Sequence, residues 1–179
     1  MKSQITKFNQ PDSPIRGLLK PFRVLVRQWR LLRLRLTLLI LYGCIVNFGK
    51  NVAIGARPII RSRREFRLGD KVRIGSDFTC YVNLRIGKGT LISGSVSIVG
   101  NDHPIDVPEE VFEARRSDDC FVELEGDNLI GFGAIIIGPC KIGRGAVVGA
   151  GCVVSSNLAP NTIYAGVPAR ALRQRRRRT

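Results

Sequence analysis

One histidine, one methionine and one tryptophan occur in 179 residues, and each scarcity narrows the chemistry open to the chain. A single imidazole cannot build a metal site from several histidines within one subunit. Five cysteines are an odd number without CxxC spacing, so a disulfide framework is not expected and a reducing cytoplasm is. No apolar run reaches membrane-spanning length. The charge-free stretch from Leu36 to Gly49 is interrupted by Gly43 and Asn47 and falls short of the roughly 20 residues a spanning helix needs. It also begins too late, and lacks too clear a small-residue cleavage site, for a secretory signal.

Acidic residues are scarce as well, 14 against 29 basic, for a net charge of +15. The imbalance is local. Residues 1–47 hold nine Lys or Arg against Asp12, and residues 167–179 hold six Arg and no acid. The 119 residues between are nearly neutral, with 14 basic and 13 acidic side chains, so the pI of about 10.6 describes the ends of the chain.

What the sequence has in abundance is a six-residue beat. Large apolar residues stand at Phe48, Ile54 and Ile60, at Leu68, Ile74, Cys80, Ile86, Ile92 and Ile98, and at Leu124, Ile130, Ile136, Ile142, Val148 and Val154. Glycine often follows at once, and a small or branched residue commonly stands four places on. Cys140 and Cys152 take that small position, which marks them as packing thiols. A period of six does not fit a helix. It fits one short strand and one corner, three of which close a triangular coil of about 18 residues. Coils are predicted over 48–65, 68–85, 86–103, 124–141 and 142–159, with a two-residue excess at Phe66 and Arg67 and an interruption from Pro104 to Glu123. Stacking puts each buried aliphatic over the one a coil later and builds a core that no single repeat could form.

The predicted organisation is therefore mainly β. A basic amphipathic segment (1–47) precedes a parallel β-helix of about five coils (48–159, with the loop 104–123), and a C-terminal extension with a basic tail (160–179) follows. Arg23, Arg27 and Arg30 are spaced along one helical face, among Phe22, Leu25, Val26, Trp29 and Leu32. That pattern suits either an interfacial helix on an anionic membrane or a helix packed on the prism or a neighbouring subunit. The terminal run Arg173 to Arg178 has no interleaved aromatics, so specific nucleic-acid recognition is not expected.

Chemistry is to be sought where the beat breaks. His103 ends the coil 86–103 inside the string NDHPID (Asn101 to Asp106), directly before the long loop. Histidine is the side-chain type whose ordinary pKa lies nearest neutrality, which suits it to move a proton. Asp102 could orient the ring, although neighbours on a strand point to opposite sides, and a carboxylate from elsewhere could do the same.

The NDHPID string, the repeats IGRGAVVGAGCVVS (Ile142 to Ser155) and the closing AGVPAR (Ala165 to Arg170) resemble the hexapeptide-repeat acyltransferases, specifically acetyltransferases that modify sugars. The resemblance covers about 48–173. It implies a left-handed parallel β-helix, a homotrimer with sites between subunits, acetyl-CoA as acyl donor without a metal, and His103 as general base toward an acceptor hydroxyl. Asn83 resembles an asparagine that contacts the acceptor, and Asp102 is placed with it on the substrate side. Ala134, Ala150, Gly151 and Ser155 match positions along the pantetheine arm, and Arg170 a position for the coenzyme phosphates. An amide near Ala150 and Gly151 would serve the oxyanion. Leu129 and Ser156 depart from the family, where an aromatic and a lysine are frequent.

Three readings follow. The first is a sugar O-acetyltransferase, plausible in surface polysaccharide assembly, cytoplasmic and peripheral on the inner face of the membrane. The second is a serine or amino-sugar acetyltransferase, and the third a non-catalytic β-helix.

Overall fold

The computed structural model describes residues 20–100, 102–104, 106–116 and 119–176. Asn101 and Ile105 of the NDHPID string, the first 19 residues and residues 177–179 lie outside the described residues.

Strands β1 to β17 form three sheets that wrap one core. The first stacks β1 (Ile45–Phe48), β4 (Glu65–Leu68), β7 (Asn83–Ile86), β10 (Phe121–Leu124) and β13 (Cys140–Ile142). The second stacks β2 (Ala53–Ile54), β5 (Arg73–Ile74), β8 (Leu91–Ile92), β11 (Leu129–Ile130), β14 (Val147–Val148) and β16 (Thr162–Ala165), closed by antiparallel β17 (Arg170–Gln174). The third holds β3 (Ile59–Ile60), β6 (Thr79–Cys80), β9 (Ser97–Val99), β12 (Ile135–Ile137) and β15 (Val153–Val154). Every other pairing is parallel, so the chain is a parallel β-helix of five turns, and Leu158 and β16 begin a sixth.

The beat sets the register. Ile98 and Val154 flank Ile136 in neighbouring turns, Ile92 and Val148 flank Ile130, and Ile86 and Ile142 flank Leu124. All nine side chains are buried. Glycine follows the aliphatic because the next turn passes there: a Cβ built on Gly75 would stand 2.5 Å from the Gly94 amide. The outer face of the first sheet instead carries charge, with Arg85 bonded to Glu65 at 2.9 Å and Lys141 to Glu125 at 2.7 Å. Lys141 holds the Glu125 carboxyl below its ordinary range, helped by the Arg144 amide. A depressed folded pKa means this small contribution is present above the ordinary carboxylate pKa and lost as pH falls through the folded one.

The first turn departs from the expected boundaries. Strand β1 starts at Ile45, and Phe66 is no excess residue: it is buried, paired with Val46 and Leu84. The two additional residues lie in the corner 61–64. Ile60 pairs with Cys80 and Phe66 with Leu84, so six steps on one turn match four on the next. A hydrophobic at Phe66 obeys the core pattern, whereas the surplus falls among polar residues that leave no trace in it.

Helix α1 (Lys20–Tyr42) closes the N-terminal end of the prism. Leu31, Leu34, Leu38 and Tyr42, spaced by three and four, face the core. Gly43 ends the helix at φ +60°, with the Gly43 and Cys44 amides bonded to the Leu39 and Leu38 carbonyls. Phe22, Leu25, Trp29, Leu32, Leu36 and Leu39 form an exposed apolar stripe. The segment thus both packs on the prism and keeps a free apolar face. No helix among the described residues is long and apolar enough to cross a membrane.

Candidate active site

One edge of the prism, where the third sheet passes to the first, carries the main departures from the repeat among the described residues. It holds the enlarged corner 61–64 in the first turn, Tyr81 in the second, the loop 104–119 in the third and the corner after β15 in the fifth. The ends of the loop are pinched together by Cys120. A Cβ on Gly100, at φ +154°, would meet the Cys120 sulfur at 2.5 Å, and one on Gly138 would meet it at 2.6 Å.

His103 leaves the prism at this pinch, half-buried, with its Nδ1 2.5 Å from the Ala114 carbonyl oxygen. A carbonyl only accepts, so Nδ1 carries the proton and donates it. In the neutral ring Nε2 then holds its lone pair free, as a general base requires. Ala114 is itself buried and held by a turn in which its amide bonds to the Glu110 carbonyl at 3.0 Å. Among the described residues, the group bonded to the ring is therefore a backbone carbonyl of the loop and neither Asp102 nor another carboxylate. No side-chain pattern announces a carbonyl, which is why Ala114 could not be singled out from residue types.

Asp102 is exposed and lines a neighbouring cleft of about 450 Å³ with Arg61, Arg63, Tyr81, Gly100, Arg115 and Arg116. Asn83 is buried on β7. Its Oδ1 accepts from the Arg64 amide at 2.9 Å, the Glu65 amide at 3.3 Å and the Ser62 hydroxyl at 3.4 Å. The structure places it as the brace of the enlarged corner, in the interior, so a direct acceptor contact expected of it is not formed by that oxygen.

The residues matched to the coenzyme spread over two edges. Ser155 is exposed on the His103 edge, two turns on, or roughly 10 Å at the spacing of paired strands. Ala150 and Gly151 are exposed at the opposite end of the third sheet, beside exposed Phe132. Ala134 is wholly buried, and its side chain fills the small position of the repeat. The Gly151 amide already donates to the Phe132 carbonyl at 2.8 Å, as successive corners of this edge do, so it is not free for an oxyanion. Among the described bonds none uses the Ala150 amide. Arg170 is exposed on β17, and the tail does not all trail away: Arg175 donates to the Asp127 and Gly145 carbonyls at 2.9 and 3.1 Å.

All five cysteines are buried as free thiols. Burial pushes Cys80 up to about 12 and Cys140 up to about 11, so neither is a ready nucleophile. Among the described residues no cluster of histidine, cysteine and carboxylate could hold a metal ion.

Residues 121–156 match the bacterial transferase hexapeptide model of six repeats. The chain is 28% identical over 120 residues to the galactoside O-acetyltransferase of Escherichia coli, covering 61% of this chain and 57% of that protein. It is 29% identical over 129 residues to a serine acetyltransferase of Mycobacterium tuberculosis, covering 72% of this chain and 46% of that one. It thus spans about half the length of these curated relatives. A solved galactoside acetyltransferase in complex with coenzyme A superposes with a TM-score of 0.66 at 23% identity, over 72% of this chain and 64% of that one. The repeat and the wound sheets define a β-helix of the hexapeptide class. The chain carries the bacterial transferase hexapeptide repeat and is similar to the hexapeptide-repeat acyltransferases, a sugar O-acetyltransferase among them.

Proposed function

We propose that the protein is an acetyl-CoA-dependent O-acetyltransferase acting on a sugar hydroxyl, with His103 as general base and a place in surface polysaccharide assembly. The carrying observation is the His103 ring, locked by the Ala114 carbonyl so that Nε2 is the basic nitrogen at the mouth of the loop. The donor supplies an acetyl group already activated as a thioester. Nε2 takes the proton of the acceptor hydroxyl while that oxygen bonds to the acyl carbon, and returns it to the thiolate as the carbon–sulfur bond breaks. The buried, protonated thiols favour this direct transfer over an acyl-cysteine route. The exposed small residues Ala150 and Gly151 beside Phe132 offer the open, narrow edge that a pantetheine arm needs.

His103 and Ala150 occupy different edges of one prism, so a shared site calls for a second copy. Leu91, Leu129, Ile135 and Ile137 are exposed on the outer faces of the second and third sheets, which meet at the Ala150 edge, while the first sheet presents charge. Apolar faces flanking the donor edge support a cyclic trimer in which the His103 edge of one subunit meets the Ala150 edge of the next.

Incubation with labelled acetyl-CoA and a panel of glycans, serine and amino sugars tests the acceptor class. The expected product is a sugar ester cleaved by hydroxylamine. A hydroxylamine-stable amide, or acetylserine, would move the activity to the second class.

The exposed stripe of α1, with Arg33 beside it, supports a peripheral seat on an anionic membrane. Binding to vesicles rich in anionic lipid is expected to weaken as salt rises. Leu25→Ser with Trp29→Ser should abolish it, since both side chains point away from the prism. Deleting the helix is a poorer test because Leu38 is part of the core. Salt-insensitive binding, or dissociation of the trimer in the double variant, would assign the stripe to subunit packing.

A further inference from the structure

The two places where the chain breaks its repeat open onto one cleft, and both supply arginine. The enlarged corner contributes Arg61 and Arg63, and the loop contributes Arg115 and Arg116, against Asp102 as the single carboxylate among the described lining residues. A volume of about 450 Å³ is within the ordinary range for small-molecule sites.

The cleft is braced from both sides. Asn83 holds the corner through the Arg64 and Glu65 amides, and Arg64 reaches Asp119 at the far end of the loop at 2.6 Å. On the other side, the Ala114 carbonyl that fixes His103 belongs to the residue just before Arg115, and Asp102 is the residue just before His103. The Arg61 guanidinium stands 5.5 Å from the centre of the Tyr81 ring, which limits its freedom before any ligand arrives. Guanidinium forks gathered in a pocket match phosphate oxygens better than they match the hydroxyls of a neutral sugar.

We infer that this cleft binds a phosphate or diphosphate group carried by the acceptor, so that the acetylated sugar is a phosphorylated or diphosphate-linked one. This rests on the acyltransfer reading above. The same oxygens occur in coenzyme A, so the test must separate acceptor from donor. Within a subunit the Ala150 edge, where small residues suit the donor, is on the other side of the third sheet, and in the proposed trimer the donor facing His103 comes with the neighbouring copy.

Calorimetric titration of the full-length protein with inorganic pyrophosphate reads the cleft without turnover, and so independently of whether acetyl transfer occurs. Binding is expected to weaken with salt, and to fall at least about tenfold in Arg115→Gln with Arg116→Gln, since charge-assisted hydrogen bonds are lost. Arg73→Gln, exposed on the second sheet, should leave it unchanged. Saturating coenzyme A should alter the affinity less than about twofold, because two sites without coupling free energy leave each other's affinity alone. Absence of pyrophosphate binding, or equal binding by the double variant, would overturn the inference. Displacement of pyrophosphate by coenzyme A would overturn it too, by giving the arginines to the donor. In a second arm, hexose 1-phosphate should show a lower KM than free hexose, and the double variant should erase that difference; an equal KM in the parent protein would refute the acceptor assignment.

Discussion

His103→Ala is expected to slow acetyl transfer by about 10²–10⁴, the range a positioned base contributes. The loss should fall on kcat, with KM for acetyl-CoA nearly unchanged, because the imidazole serves the acceptor hydroxyl and does not hold the pantetheine arm. Folding should survive. The ring is half-buried and its described hydrogen bond goes to one carbonyl, so about 0.5–1.5 kcal/mol is at stake, less than a core truncation. Added imidazole should restore part of the rate, and the pH dependence set by the base should disappear from the residual activity. Near-parental turnover by the variant, with its unfolding curve intact, would remove His103 from the chemistry.

The largest structural effect is expected from Ile136→Ala. Ile136 is fully buried in β12 and lies between Ile98 of the previous turn and Val154 of the next. Truncation leaves a cavity flanked by strands whose spacing is fixed by backbone hydrogen bonds, so the site cannot collapse around it. About 2–5 kcal/mol is expected, a large share of the roughly 5–15 kcal/mol that holds a domain folded. Urea unfolding should show a lowered midpoint. Because each turn touches only its neighbours, a shallower slope or a split transition would show the third and fifth turns uncoupling. A loss under about 1 kcal/mol would mean that the aliphatic column is not closed as described.

How much of this was legible follows from what a repeat can encode. The aliphatic positions and the glycines behind them are read from side-chain identity, and they carry the sheets, the stacking and the place of the loop. Phe66 shows the limit: the sequence marks a buried hydrophobic but not which corner absorbs two surplus polar residues. Asn83 is matched to an acceptor contact by resemblance alone, and its Oδ1 accepts from the amides of that corner. Ala114 and Gly151 matter through a carbonyl and an amide, and backbone groups are the same whatever the residue. For α1 the arginine spacing suggested one face, whereas leucines three and four apart supply a second that docks.

A site shared between the His103 edge of one subunit and the Ala150 edge of the next is tested most directly by complementation. His103→Ala removes the base, and Ala150→Trp fills the exposed donor edge; each protein alone should be nearly inactive. Co-expressed, the two chains should form mixed trimers in each of which one interface in three pairs an intact His103 with an intact Ala150, about a quarter of all interfaces at equal random mixing, and activity should return to that order. Mixed trimers that form but stay inactive, or an active monomer at sedimentation equilibrium, would contradict the shared site.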